Sequence, residues 1–418
     1  MTGKLVLDMN GQLTRVNIFV LLIVTAACIF SFDGFAKTRK KKRQVHKTSF
    51  RPVCSRLENA DSPEFKRLIN KLKDARNGKL GTTGILILGD SHNQCEDFGT
   101  AFALYLNDSL DIPYAGRGFV FPYSLARTSH RSDMQFGPTA AWYGCRFTKE
   151  QNDCEWGLAG WTAHCNDDSV TFHWKLNRNR FRKGDEIVLL CPDKISTDFT
   201  IQLSDTAGNT LDMGYSKNNC GFSAFMPSEG NQVEFKIKKK TQGAEFVLQG
   251  IVLRPLANGL VCGISGTNGA RLDHYLQNPD FQRHLTSINP SMVLIALGTN
   301  DAFSGNFNPE ATAGFLQQLL TRIKSAIPDA AIVLVGPPDH CIRKGRVNPK
   351  TARINAVFSE IAGSLDFVFW NQQKAMGGKG SVFAWRNKKL ATRDMIHFTT
   401  EGYTLQARLL GRAFKAEF

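Results

Sequence analysis

The chain lacks the sequence features of several common protein classes. Its 418 residues contain no zinc-finger spacing and no RNA-binding signature, so nucleic acid ranks last among possible partners despite a net charge of +15. The glycine-rich stretch 116–122 lacks the strand, glycine and helix order of a phosphate-binding loop, and we interpret it as a loop bordering a pocket. The composition is globular and not low in complexity, and a length of 418 residues is enough for two or three domains, or for one domain with a large insertion.

Acidic residues are scarce relative to basic ones, with 37 Asp and Glu against 52 Lys and Arg. Excess charge of one sign bears on partners and not on fold. It makes an anionic membrane or an anionic cell-wall polymer a plausible partner. The basic run 37–43 contains no apolar residue that could pack in a core, so residues 37–60 are predicted to be a solvated basic linker.

The apolar stretch 16–32 is slightly short for a membrane-spanning helix of about 20 residues. It follows Arg15 and precedes Gly34-Phe35-Ala36, which is the order of a signal peptide cleaved after Ala36. A membrane anchor is the second interpretation, against which the following basic run argues, and a lipoprotein at Cys28 is the third. The sequence therefore predicts an exported protein, periplasmic or extracellular, with membrane contact only if residues 1–36 are retained.

Export would permit disulfide bonds. Spacing alone does not fix their pairing, and five of the ten cysteines cluster in one region: Cys145, Cys154, Cys165, Cys191 and Cys220. Cys95 and Cys262 lie in apolar contexts and are expected to be small buried residues.

Residues 132–256 show short alternating segments separated by turn residues, as in Phe199, Ile201 and Leu203. This texture predicts an inserted β-sandwich. The region is rich in aromatic residues that could form its core or, if exposed, stack on sugars, and the core interpretation is favoured: Trp142, Tyr143, Trp156, Trp161 and Trp174.

On either side of this region, strands and helices alternate. The unbroken apolar run 85–88 predicts a strand buried on both faces, and a helix is expected from about Gln94 to Asn107. The βαβ pattern resumes after residue 256 and predicts a parallel sheet between helices. Residues 61–131 and 257–418 thus form one α/β domain that the β-rich stretch 132–256 interrupts.

Small or polar residues follow each buried strand of the α/β part. The first strand ends at Ser91, another leads into Gly266 and Gly269, and a third ends at Asn300. Because the carboxyl ends of parallel strands meet at one sheet edge, these residues are expected to converge. Asp394 and His397 precede the last helix and would join them if that segment folds back.

These residue types suit serine ester hydrolysis. Ser91 needs a base, which His397 can supply, while Asp394 is close enough in sequence to orient the imidazole ring. The amides of Ser91 and Gly269 and the side-chain NH2 of Asn300 are candidate oxyanion donors. Taken singly, Asn300 could be a turn residue, Asp394 a helix cap and His397 a surface residue. Their joint order along the chain favours the hydrolytic interpretation.

The four blocks resemble those of the SGNH (GDSL-type) hydrolases. This resemblance implies a flavodoxin-like three-layer α/β fold, the catalytic and oxyanion roles given above, and no metal or other cofactor. In the second block Gly266 is an alternative oxyanion glycine. Gly269 is favoured because Asn268-Gly269-Ala270 is expected to open a helix directly.

A narrower resemblance is to bacterial peptidoglycan O-acetylesterases. These share Gly-Asp-Ser-His, an Asn-Gly-Ala second block and an inserted β-sandwich similar to a carbohydrate-binding module. The resemblance implies an acetylated cell-wall carbohydrate, first of all peptidoglycan, as substrate. Two alternatives stay open: an acetyl esterase of other polysaccharides or a lipid or short-chain acyl esterase, and a non-catalytic glycan-binding protein.

Overall fold

The computed structural model describes residues 50–53, 55–79, 81–128, 133–149, 154–342 and 345–418, and the backbone of 6–7 and 13–14. The two short segments Val6–Leu7 and Leu13–Thr14 pair as antiparallel strands. The rest of the predicted signal peptide or anchor, and the basic run 37–43, lie outside the described residues. Within the described part, no helix has the length and apolarity needed to cross a bilayer.

Among the described residues from Phe50 onward, twenty-one strands follow. They are β1 (Thr82–Gly89), β2 (Tyr114–Arg117), β3 (Phe119–Val120), β4 (Met134–Gly137), β5 (Trp142–Arg146), β6 (Trp161–Cys165), β7 (Ser169–Leu176), β8 (Glu186–Leu190), β9 (Phe199–Asp205), β10 (Thr210–Asp212), β11 (Gly214–Ser216), β12 (Gly221–Phe225), β13 (Gln232–Lys239), β14 (Phe246–Leu248), β15 (Gly250–Arg254), β16 (Gly259–Gly266), β17 (Met292–Ala296), β18 (Ala331–Val335), β19 (Cys341–Ile342), β20 (Arg346–Val347) and β21 (Val368–Trp370).

The helices among the described residues lie mainly before and after the inserted β-rich region. They are α1 (Pro63–Arg76), α2 (Ser91–Gln94), α3 (Asp97–Leu110), α4 (Leu272–Tyr275), α5 (Phe281–Ile288), α6 (Thr299–Phe303), α7 (Pro309–Ala326), α8 (Lys350–Ser364), α9 (Gln372–Ala375), α10 (Ser381–Asn387) and α11 (Thr400–Lys415), and a 3-10 turn spans Asp193–Ile195.

A six-stranded parallel sheet in the order β21-β18-β17-β1-β16-β2 forms the centre of the α/β part. Successive residues of β1 face opposite sides, as the two-residue period of a strand requires. Leu86 and Leu88 pack in one apolar cluster with α5, α7 and α8, while Ile85 and Ile87 pack in another with α1, α3 and α11. The predicted three-layer α/β fold is therefore confirmed.

The inserted region consists of antiparallel sheets. Two have five strands each, in the orders β11-β12-β8-β15-β3 and β10-β9-β13-β7-β4, and a third has three, β14-β6-β5. Strand β3 precedes the predicted boundary at residue 132 yet pairs with β15, so one sheet of the insertion begins before that boundary. Trp142 and Trp174 are fully buried, as the core interpretation predicts, whereas Tyr143 is 43% exposed.

Cys145 and Cys154 form a disulfide bond within the insertion. The other cysteines of the predicted cluster are free and buried: Cys165, Cys191 and Cys220. Cys262 is also buried and Cys95 is half-buried. The insertion therefore carries one covalent crosslink among its described residues.

Three segments differ from their sequence-based prediction. The predicted helix 94–107 is divided into α2 and α3, because Glu96 adopts a left-handed φ of 58° between them. The glycine-rich stretch 116–122 contains parts of two strands rather than a loop alone. The predicted linker is shorter at its C-terminal end, where the Val53 amide donates to the Ala375 carbonyl and that of Glu58 to the Phe369 carbonyl.

Candidate active site

The turn after β1 places Ser91 at the carboxyl end of the central sheet. Gly89 ends the strand, and a Cβ there would lie 2.2 Å from Asn93 Nδ2, so only glycine fits this close approach. Asp90 caps the next helix because its Oδ1 accepts from the His92 amide at 2.9 Å. Helix α2 begins at Ser91, which puts the hydroxyl at a helix N-terminus beside the sheet edge.

The structure brings Ser91, His397 and Asp394 into one hydrogen-bonded chain. His397 Nε2 lies 2.9 Å from Ser91 Oγ, and His397 Nδ1 lies 2.7 Å from Asp394 Oδ2. The other carboxylate oxygen, Oδ1, accepts from the amides of Ile396 at 2.9 Å and His397 at 3.1 Å. Thr392 Oγ1 donates a further bond to Oδ1 at 2.5 Å, a contact that no motif in the sequence predicts. Asp394 is thus held on both oxygens.

The charges of this pair follow from the same contacts. The hydrogen bond to Asp394 raises the pKa of His397 above its ordinary value, although partial burial opposes the shift. Burial alone would raise the pKa of Asp394, but the bonds from His397, Thr392 and the two backbone amides hold it well below its usual range. Asp394 is therefore ionised near neutral pH and favours a proton on the ring that faces it.

The second block supplies a backbone N–H beside the turn of Ser91. Gly269 has a φ of +83°, which favours glycine. The amides of Ser91 and Gly269 donate to no acceptor within the described part of the chain. The prediction that this block opens a helix directly is wrong, because α4 begins at Leu272 and Gly269 lies in the preceding turn.

Gly266, the alternative glycine, has a different environment. Its amide donates to Tyr123 Oη at 3.0 Å, so this N–H is already used. A Cβ on Gly266 would lie 2.2 Å from the Gln94 amide nitrogen, which makes Gly266 a residue of close packing. Of the two glycines, Gly269 is the one whose N–H is available to a ligand.

Asn300 lies on the adjacent strand end, in the first turn of α6. Its Nδ2 donates to the Ala270 carbonyl at 2.9 Å and lies 3.4 Å from Asp90 Oδ2. The first contact is a good hydrogen bond, and the second is long for one. One proton of this amide is therefore fixed by the second block, while the other is only weakly engaged.

Two buried carboxyl groups flank this region. Burial raises the pKa of Asp90 to about 7, and it raises the pKa of Asp301 to about 7. Asp301 also accepts a hydrogen bond from the Leu272 amide at 3.2 Å. Because burial favours the neutral forms, these groups place less negative charge next to the N–H donors than two ionised carboxylates would.

Side chains from distant segments hold the strand ends together. Tyr275 Oη donates to the Gly89 carbonyl at 2.7 Å, and Gln94 Oε1 accepts from the Asn268 amide at 2.8 Å. Tyr123 Oη also donates to the Gly266 carbonyl at 2.5 Å. A sequence pattern could not identify these supports, since each partner is separated from its acceptor by many residues.

The arrangement has the parts needed to activate an alcohol next to free N–H donors. In the described part of the chain, no group of three His, Cys, Asp or Glu side chains is placed to hold a metal ion. The chemistry available from the site residues is acid–base and nucleophilic.

Comparison with known proteins agrees with this geometry. Residues 241–405 match the family model described as GDSL-like lipase/acylhydrolase, a range that includes Asn300, Asp394 and His397 and begins after Ser91. No curated protein matches the sequence.

A solved structure described as a peptidoglycan O-acetylesterase in action superposes with a TM-score of 0.69 and 20% identity, covering 86% of this chain and 97% of that one. A GDSL-like lipase from Bacteroides thetaiotaomicron covers 38% of this chain and 77% of its own, with 21% identity and a TM-score of 0.30. An acetylxylan esterase from Geobacillus stearothermophilus covers 37% and 73%, with 17% identity and a TM-score of 0.29. The chain therefore carries a GDSL-like lipase/acylhydrolase domain over residues 241–405, and this domain, together with the geometry of Ser91, His397 and Asp394, identifies an ester hydrolase.

Proposed function

We propose that the protein is an exported serine esterase that removes O-acetyl groups from a cell-wall carbohydrate, with peptidoglycan as the first candidate. The observation that carries this proposal is the chain from Ser91 Oγ through His397 to Asp394, with distances of 2.9 and 2.7 Å. It also argues against a non-catalytic glycan-binding protein, for which such a chain would have no use.

In the first half-reaction, Ser91 Oγ attacks the carbonyl carbon of the acetyl ester while His397 Nε2 takes the hydroxyl proton. The carbonyl oxygen becomes an oxyanion, which the N–H groups of Ser91 and Gly269 and the weakly engaged proton of Asn300 stabilise. The bond between the acetyl carbon and the sugar oxygen then breaks. His397 gives the proton it took from Ser91 to the sugar alkoxide that leaves. Acetyl-Ser91 remains.

In the second half-reaction, a water molecule attacks the acetyl group on Ser91 and gives a proton to His397. The second tetrahedral oxyanion uses the same donors. Its collapse breaks the bond to Ser91 Oγ, which regains a proton from His397, and acetic acid leaves and ionises to acetate in water. Asp394 holds the Nδ1–H of the ring throughout and stabilises the imidazolium in both halves.

Two observations support a cell-wall substrate. The structure described as a peptidoglycan O-acetylesterase matches this chain over both the α/β part and the insertion, since 86% of the chain is covered. The net charge of +15 suits an anionic polymer, because opposite charge raises the rate of encounter. Export belongs to the same proposal and is supported by the signal-like sequence pattern of residues 1–36.

The substrate can be tested by acetate release from a panel of esters. We expect release from O-acetylated peptidoglycan and none from the same material after alkaline de-acetylation. Acetylated xylan and p-nitrophenyl esters with acyl chains of two to eight carbons serve as the alternative substrates. A higher kcat/KM on xylan or on the longer acyl chains would replace the peptidoglycan assignment by one of these classes.

Asn300→Ala should lower kcat by about 10²–10³-fold, the usual cost of losing one oxyanion donor. KM should change little, because the donor acts on charge that develops in the transition state. Steady-state kinetics on p-nitrophenyl acetate measures both values. Asn306→Ala, an exposed asparagine of the following loop, is the matched control and should behave as wild type. Equal losses in the two variants would contradict the role given to Asn300.

The pH dependence of kcat/KM follows from the raised pKa of His397. Only the neutral imidazole can accept the serine proton, so activity falls as the pH drops through the pKa of this ring. We expect the midpoint of the acidic limb to lie above about 6.5, the ordinary value for histidine. The midpoint is measured from a profile of kcat/KM between pH 4 and 9, with an ester substrate that does not hydrolyse spontaneously over this range. A midpoint well below 6.5 would contradict the conclusion that the hydrogen bond to Asp394 raises the pKa of His397.

A further inference from the structure

A loop of the inserted β domain contacts the second block of the active site. We call residues 145–160 the stapled loop, because the Cys145–Cys154 disulfide closes it near its start. The structure describes its residues 145–149 and 154–160. Its contacts lie next to the two features that the proposed oxyanion site needs, the turn of Gly269 and the end of β1.

The first contacts hold the two residues that precede Gly269. Thr267 is fully buried, and its Oγ1 donates to the Ala159 carbonyl at 2.5 Å. Thr148 Oγ1 donates to the Asn268 carbonyl at 3.3 Å, a longer and weaker bond. The peptide units immediately before the Gly269 N–H are therefore tied to the insertion by side-chain hydrogen bonds.

The second contact acts through Tyr275. Phe147 is 3% exposed and packs edge-on against the Tyr275 ring, with centroids 5.2 Å apart. Tyr275 Oη in turn donates to the Gly89 carbonyl. The stapled loop thus supports the nucleophile turn as well as the second block.

The ends of the loop are themselves fixed. The Phe147 amide donates to the Gly160 carbonyl at 3.0 Å, and a Cβ on Gly160 would lie 2.4 Å from the Phe147 ring. Gly160 also has a φ of +65°. Both the lack of space for a Cβ and this backbone conformation therefore favour glycine at position 160. The disulfide adds a covalent restraint two residues before Phe147 and five before Ala159. A crosslink at this point limits the conformations open to the segment that carries the contacts.

We propose that the stapled loop positions the Gly269 N–H for the oxyanion, so that breaking its disulfide lowers kcat without weakening substrate binding. Phe147, Thr148 and Ala159 are positioning residues in this account, because they act through Tyr275, Thr267 and Asn268. The inference rests on the proposed function. It gives the insertion a part in catalysis that does not depend on sugar binding.

The test compares wild type with the double variant Cys145→Ala, Cys154→Ala. We expect kcat on p-nitrophenyl acetate to fall about 10-fold, a fraction of the 10²–10³-fold cost of losing a whole oxyanion donor, with KM unchanged within twofold. Hydrogen exchange followed by mass spectrometry should show faster exchange in peptides covering residues 266–270. Peptides from β17 should exchange at the wild-type rate.

A matched control is available in the same domain. Cys191→Ala together with Cys220→Ala removes two buried sulfur atoms that form no disulfide. Unchanged exchange over 266–270 in the loop variant, an unchanged kcat, or the same changes in the control would each overturn the proposal.

A second variant covers the case in which the double variant does not fold. Thr267→Val keeps the shape of the side chain and removes its bond to Ala159, and it should give the same kcat loss and the same local exchange. An exchange rate equal to wild type in the peptides covering residues 266–270 would overturn the proposal. If wild type itself shows no esterase activity, the proposed function fails, whereas the exchange measurement still decides whether the loop holds the second block.

Discussion

Ser91→Ala should lower kcat on p-nitrophenyl acetate by about 10⁴–10⁶-fold, the usual range for loss of a triad nucleophile. The variant keeps the N–H groups proposed as oxyanion donors, so KM should stay within a fewfold of wild type. The residue is half-buried and its hydroxyl bonds to His397 alone among the described residues, so the melting temperature should change little. Acetate release and thermal unfolding measure the two effects.

Ser325→Ala is the matched control for this variant. Ser325 lies on the exposed side of α7, where its hydroxyl contacts Gln282 and the Arg322 carbonyl. It should retain full activity. A Ser91→Ala protein that keeps more than a tenth of the wild-type rate would show that another group is the nucleophile.

Asp394→Asn should lower kcat by about 10⁴-fold, for a reason that the hydrogen bonds at this residue make explicit. Oδ1 accepts from the amides of Ile396 and His397 and from Thr392, so the carbonyl oxygen of the new side chain will occupy that position. Its NH2 group then faces His397 Nδ1 and donates to it. The ring proton is forced onto Nε2, which can no longer accept the proton of Ser91.

The same variant should also change the pH profile. Losing the carboxylate removes the contact that raises the pKa of His397, so the acidic limb of the residual activity should move to lower pH. Asp366→Asn, at an exposed turn, is the control and should leave both the rate and the profile unchanged. A loss smaller than tenfold for Asp394→Asn would contradict its role as the orienting group.

The sequence allowed the convergence of the site residues to be predicted because a general rule governs it. Ser91 and Asn300 follow apolar runs, and the carboxyl ends of parallel strands meet at one edge of the sheet. The rule does not determine which glycine of the second block has a free N–H. That depends on Tyr123, which uses the amide of Gly266 from 143 residues away.

Other features depend on tertiary contacts in the same way. The break between α2 and α3 occurs at Glu96, whose left-handed conformation is unusual for a residue other than glycine and has no marker in the sequence. The support from Phe147 and Ala159 joins the insertion to the second block, and no local pattern encodes such a contact. The raised pKa of Asp90 follows from complete burial, which is known only once the fold is known.

The position of β1 in the central sheet has a consequence for biosynthesis. Both neighbours of this strand, β16 and β17, lie after the insertion in sequence, at residues 259–266 and 292–296. While the ribosome is still translating the insertion, the strand that leads to Ser91 therefore has no partner in its own sheet. Most strands of the inserted domain emerge earlier and can fold first, because nearby segments pair at a lower entropic cost than distant ones. We expect the hydrolytic centre to form only after His397 has been synthesised, because this residue is the last part of the site along the chain.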